Sequence, residues 1–164
     1  MKNKIILLML LVIVVAFSGC IQSDATKING ISSNVNTHLK NGDNYFNKAA
    51  SDLNKFSYNS TSVNCNNALT EFNSAKSAAQ EGLTYAQNTN DSVFINYMQL
   101  TVSEIDARVN ATLELQQAIN YLQTKDSTNG NSHVTLVNQY MDTSMNYKAK
   151  KDSIVKQNPS KFKQ

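Results

Sequence analysis

At 164 residues, 41% hydrophobic and only 16% charged, the chain has the size and apolar content for one domain with a real core. A single Pro (Pro159) and five Gly leave long helices uninterrupted, and the abundant Ala, Leu, Gln and Lys favour them. The net charge is +3; with Lys2 and Lys4 in a segment expected to be removed, the mature chain carries +1, which excludes the strongly basic footprint of a nucleic-acid binder.

Lys2 and Lys4 precede an apolar run over residues 5–17, which Ser18 and Gly19 close. A short basic segment, ~7–15 apolar residues and small residues at the end describe a secretory signal. A membrane-spanning helix needs ~20 apolar residues, and polar sequence begins too early here. Cys20 follows the small pair directly. Phe17-Ser18-Gly19-Cys20 resembles the lipobox of surface lipoproteins, with Phe where most such motifs have Leu. The resemblance implies a signal peptide over residues 1–19 and a diacylglyceryl group on the thiol of Cys20. Cys20 would then be the mature N-terminus, holding the protein at the extracytoplasmic face of the cell membrane. The resemblance covers residues 1–20 alone and implies nothing about activity. Residues 20–26 read as a short polar tether.

Four periodic segments follow. The first carries Ile28, Ile31, Val35, Leu39, Phe46, Ala49, Leu53 and Phe56 at spacings of three and four, with Gly42 weakening its middle. Residues 58–62 read as a turn rich in N-cap residues. The second segment carries Cys65, Leu69, Phe72, Ala75, Ala79, Leu83 and Ala86; its alanines predict close packing against its neighbours. Residues 88–91 form the next turn. The third segment is the most apolar, with Phe94, Met98, Val102, Ile105, Val109, Leu113, Leu115, Ile119 and Leu122, a stripe wide enough for two partners. Residues 126–131 break the pattern. The last segment has Val134, Val137, Met141, Met145, Ile154 and Val155, and Pro159 ends it. No stretch alternates with period two, and the segments do not match the ~34-residue period of tetratricopeptide hairpins. The expected fold is therefore all-α, an antiparallel up-down four-helix bundle over residues 27–158 with a basic tail at 159–164.

Catalytic and metal-binding signatures are sparse. A di-iron bundle needs Glu-x-x-His pairs, and none of Glu71, Glu81, Glu104 or Glu114 has a His three residues later. There is no Cys-x-x-Cys-His for haem. His38 and His133 have no cluster of Cys or carboxylates in sequence, so surface or capping roles are expected, with no metal and no cofactor. Cys65 sits on an apolar face, where a thiol behaves as a small hydrophobe. Asn59, Asn90 and Asn110 begin N-glycosylation patterns in a chain so rich in Asn, Ser and Thr that such matches arise by chance. The expected function is thus a non-catalytic, membrane-anchored binding or envelope-interaction module. The alternative is a small-ligand-binding, sensor-like four-helix domain, whose best sequence trace is a buried Thr112 and Gln116 on the third helix.

The final 17 residues hold Lys148, Lys150, Lys151, Lys156, Lys161 and Lys163 against Asp152 alone. An even number of antiparallel helices returns this end toward the anchored face, so the lysines are candidate contacts for anionic lipid or an acidic envelope polymer. Replacing Cys20 with Ser should abolish incorporation of a labelled fatty-acid or isoprenoid precursor and leave the unprocessed precursor. An unlabelled wild-type protein found wholly in the medium would refute the anchor.

Overall fold

The structure, a computed structural model, describes residues 24–162; the signal segment, Cys20, most of the tether and Lys163 lie outside it. Four long helices, α1 (Asp24–Leu53), α2 (Tyr58–Asn88), α3 (Ser92–Gln123) and α4 (Ser127–Gln157), are followed by one turn of helix, α5 (Pro159–Phe162). There is no strand among the described residues. The molecule is an all-α four-helix bundle, and none of its described helices is long and apolar enough to cross a membrane.

The turns are shorter than the sequence predicts, because polar residues taken as loop are the first residues of helices. Residues 58–62 belong to α2, and the chain reverses over residues 54–57. Each reversal uses one residue in the left-handed region: Phe56 (φ 57°), Asn90 (φ 53°) and Lys125 (φ 64°). Asp91 caps α3 by accepting hydrogen bonds from the amides of Val93 and Phe94, and Asp126 caps α4 through the amide of Asn129. Ser57 precedes α2 without a side-chain cap; Thr61 Oγ1 instead donates back to its carbonyl. At the start, Asp24 and the residues after it are already helical, inside the stretch read as tether. At the end, Pro159 opens α5 rather than simply terminating α4, as suits a residue with fixed φ and no amide proton.

Cross-helix contacts establish the antiparallel order. Asn64 near the start of α2 donates to Asp52 near the end of α1 (2.9 Å). Lys76 on α2 meets Asp106 on α3 (2.7 Å), and Glu114 late in α3 meets His133 early in α4 (2.6 Å). The start of α1, the end of α2, the start of α3 and α5 therefore share one end of the molecule. Packing runs α1 on α2, α2 on α3 and α3 on α4; α1 touches α3 and α5 only sparsely, and the backbones of α1 and α4 stay apart, no Cα of one lying within 8 Å of a Cα of the other.

Small residues set these distances. Ala68, Ala75, Ala79 and Ala86 of α2 are fully buried, as their frequency predicts. Gly42 is a contact rather than a weak point: a Cβ there would stand 2.4 Å from the ring of Phe72. Gly130 lies within α4 against Leu122, where a Cβ would come within 2.7 Å, so it permits the α3–α4 approach instead of breaking the chain. Around them pack Ile28, Val35, Phe46, Phe72, Met98 and Ile105. The third stripe is narrower than expected at Leu113 (43% exposed), and on α4 Met145 (57% exposed) faces solvent.

Ile105 is completely buried at the middle of α3. Ile105→Asp should lower stability by several kcal/mol in urea unfolding, since an unpaired carboxylate replaces a packed side chain of ~1.5–3 kcal/mol burial value. An unchanged unfolding midpoint would mean that this face of α3 is not the core.

Candidate functional site

Two charged residues interrupt the apolar face of α3, one turn apart. Glu104 is 2% exposed and Arg108 is 8% exposed. Arg108 is the only arginine in the chain. Its Nη1 donates to Glu104 Oε1 (2.7 Å) and to Ser144 Oγ on α4, and its Nε donates to Asp43 Oδ1 on α1 (2.9 Å). Lys151 of α4, 6% exposed, places Nζ 2.6 Å from Glu104 Oε2. Burial works against the charge on Arg108, but Asp43 and Glu104 outweigh it and raise its pKa above the ordinary arginine value. The four charges sum to zero, which is what allows such a group inside a helical core. No hydrogen bond reaches Glu104 Oε2 among the described residues; the Lys151 ammonium faces it as an ion pair out of hydrogen-bond alignment.

Because α1 and α4 stay apart, this quartet is the floor of a cleft rather than the centre of a closed bundle. Two adjoining cavities, of about 440 and about 380 Å³, share Asn36, Lys40 and Tyr97. Both are within the ~300–1,000 Å³ typical of small-molecule sites. The first, toward the α5 end, has a polar α1 wall that includes Asn29, Ser32 and Ser33 and an apolar wall of Tyr97, Val155 and Phe162. The second lies over Asp43, Glu104 and Arg108, with Lys148, Lys151 and Asp152 opposite. Phe162 closes the end of the cleft, its ring edge-on to Phe94 (5.3 Å between centroids) and tilted against Tyr97 (5.0 Å).

The C-terminal lysines divide by environment. Lys151 is turned into the core by Glu104, so it is not a surface contact as its sequence position suggests. Lys161 pairs with Asp91, which ties α5 to the cap of α3. Burial raises the Asp91 pKa, but the hydrogen bond from Lys161, the amides of Phe94 and Val93 and the Lys161 charge hold it below the ordinary carboxylate value. Lys148 pairs with Asp152 (2.6 Å) on the rim of the cleft, and Lys150 lies over the ring of Tyr147 (5.6 Å). Lys156 is exposed in the last turn of α4. Lys163 and Cys20 lie outside the described residues.

Both histidines act as inter-helix links. His38 meets Glu71 (2.7 Å) between α1 and α2, and His133 meets Glu114 (2.6 Å) while stacking on Tyr121 (5.2 Å). Among the described residues, no three His, Cys, Asp or Glu side chains gather as a metal site would need. Cys65 is buried among apolar side chains, which pushes its thiol up to about 12 and leaves no reactive thiolate at neutral pH. Thr112 is buried as expected but donates to the carbonyl of Arg108, and Gln116 bonds Asn66 of α2; neither lines the cleft. The sequence did carry a signal for the true floor: a Glu–Arg pair at i, i+4 inside the most apolar segment, using the only arginine available.

Arg108→Met should cost about 3–5 kcal/mol in urea unfolding, because it leaves Glu104 buried with only Lys151 for company. Replacing Glu104, Arg108 and Lys151 together by Met should recover most of that loss. A single variant as stable as wild type would show that the network does not brace the fold. No protein family, curated protein or solved structure matches the chain.

Proposed function

We propose that the protein is a lipid-anchored module at the extracytoplasmic face of the membrane that binds a small ligand in the cleft between α1 and α4, without catalysing a reaction. The observation that carries the binding role is the cleft itself. Two helices that a closed bundle would bring together are held apart over a braced, charged floor, with polar groups on one wall and aromatic rings on the other. That combination of an apolar surface and a few convergent polar groups is the usual make-up of a ligand site. The anchor rests on the lipobox resemblance at Cys20. It fits a chain whose α1 begins only a few residues later, at the end of the molecule where α5 also lies. Lys156, exposed at that same end, supports an auxiliary electrostatic contact with anionic head groups or an acidic envelope polymer.

The test is thermal unfolding of the full-length protein in detergent, with and without the deproteinised low-molecular-weight fraction of the source cells. A ligand at ~100 times its dissociation constant adds ~2.7 kcal/mol, enough to raise Tm by several degrees. Asn36→Trp, which fills the junction of the two cavities from an exposed position, should abolish the rise without lowering the basal Tm. No rise in wild type, or an equal rise in the variant, would overturn the cleft as the binding site.

A further inference from the structure

The charges lining the cleft do not balance. Lys40, Arg108, Lys148 and Lys151 face three carboxylates, Asp43, Glu104 and Asp152, an excess of one positive charge. The excess has an address. Arg108 is engaged by Asp43 and Glu104, Lys151 by Glu104 and Lys148 by Asp152, whereas Lys40 has no hydrogen bond or ion pair among the described residues. Lys40 stands where the two cavities meet, beside Asn36 and Tyr97. The side chain of Asn36 and the hydroxyl of Tyr97 make no hydrogen bond among the described residues either. Ser32, on the same α1 wall, has a buried Oγ without a partner among the described residues, an orphan that a turn about χ1 would offer to a ligand.

These groups select a ligand chemistry. A cationic ligand is disfavoured, because every carboxylate in the cleft already has its own cation. A phosphate dianion is a poor match to a single excess charge, and the forked guanidinium that would grip it is spent on Asp43 and Glu104. A wholly apolar ligand would leave Ser32 and Asn36 without a partner. What fits is one carboxylate for Lys40, hydroxyl groups for the Asn36, Ser32 and Tyr97 side, and a C–H face to lie against Phe162 and Val155, since the ring of Tyr97 is already covered by the Lys151 ammonium and by Phe162. We infer that the cleft takes an acidic sugar of the uronate type, its carboxylate on Lys40 and its ring between the polar wall of α1 and the apolar wall that Val155 and Phe162 form. This rests on the binding role proposed above. The same chemistry arises as a free uronic acid and as an acidic residue of an envelope polysaccharide.

Calorimetric titration of the full-length protein in detergent discriminates these cases. The probes are glucuronate and galacturonate, a trimeric oligouronate, glucose as the neutral counterpart, lactate as an acid without a ring, and glucosamine as a cation. A uronate should bind at least about tenfold more tightly than glucose, lactate or glucosamine. Lys40→Gln should weaken it about tenfold, Lys40→Arg should retain it, and Lys55→Gln, exposed and away from the cleft, should leave it unchanged. Binding by monomer and trimer alike supports a free sugar acid; binding by the trimer alone supports a polymer. Glucose binding as tightly as the uronates, indifference to Lys40→Gln, or no heat from any uronate would overturn the inference. The cleft as such would still stand or fall on the melting experiment with Asn36→Trp, so the two failures are distinguishable.

Discussion

The guanidinium of Arg108 hydrogen-bonds side chains on three helices at once: Asp43 on α1, Glu104 on its own helix and Ser144 on α4. The backbones of α1 and α4 stay apart, and this brace, with its neighbour, the Lys151–Glu104 pair, fills the space between them. Arginine suits the position for reasons lysine cannot meet. Its fork reaches partners in different directions from a fixed plane, and it keeps its proton when buried. A chain that uses lysine for every other basic position spends its single arginine here. A buried ionic brace is a poor source of net stability, because desolvation offsets most of the attraction. What it does provide is direction: Asp43 of α1 and Ser144 of α4 are each held to the same guanidinium.

The other helices leave α4 dependent on this arrangement. Glycine and alanine draw α1, α2 and α3 together, with Gly42 accepting Phe72, and Gly82 approaching Met98 and Ile31. On α4 the buried positions are only Gly130, Val137, Ser144 and Lys151. Two of those four belong to the charged network rather than to an apolar core. The remaining apolar contacts of α4 are half-buried: Val134, Tyr140, Met141, Ile154 and Val155 lie against the core without being enclosed by it. Its far end is held by α5, through Phe162 on Phe94 and Tyr97 and through Lys161 on Asp91. The basic tail is therefore in part a structural clasp, and two of the lysines that look like a surface patch in sequence serve to dock it and its helix.

The sequence disclosed the four helices because apolar spacing at three and four residues persisted through each of them, and the stripe residues Ile28, Val35, Phe72, Phe94 and Ile105 are indeed buried. It misplaced the turns where Asn, Ser and Gly occur inside helices: residues 58–62 and Gly130 carry loop chemistry, yet tertiary contacts hold them helical. The cleft was not legible. A helix pair that fails to pack leaves no periodic signature, since the cleft faces of α1 and α4 read simply as solvated polar faces. The floor was legible in retrospect only as an anomaly, Glu104 and Arg108 within an apolar stripe. Thr112 and Gln116, the polar residues that invited a ligand reading, resolve into a local bond to the α3 backbone and a surface bond to α2.

The proposed anchor and the proposed site share an element, and that has a mechanical consequence. α1 is one wall of the cleft, and the lipid proposed on Cys20 would place the Asn29 end of the cleft toward the head groups. The opposite wall is α4 with its α5 clasp, the least apolar part of the bundle. A ligand resting on Lys40 and Asn36 of the tethered wall and against Phe162 of the clasp contacts both sides of the gap. By linkage, such a ligand favours whichever separation of α1 and α4 suits it, to the extent of its differential affinity for that separation. The same side chains that keep the cleft open in the free protein would thus limit how far it closes on a ligand: Arg108 has Asp43 on one side and Ser144 on the other, and a shift that lengthened either bond would expose a buried charge to an incomplete partner set.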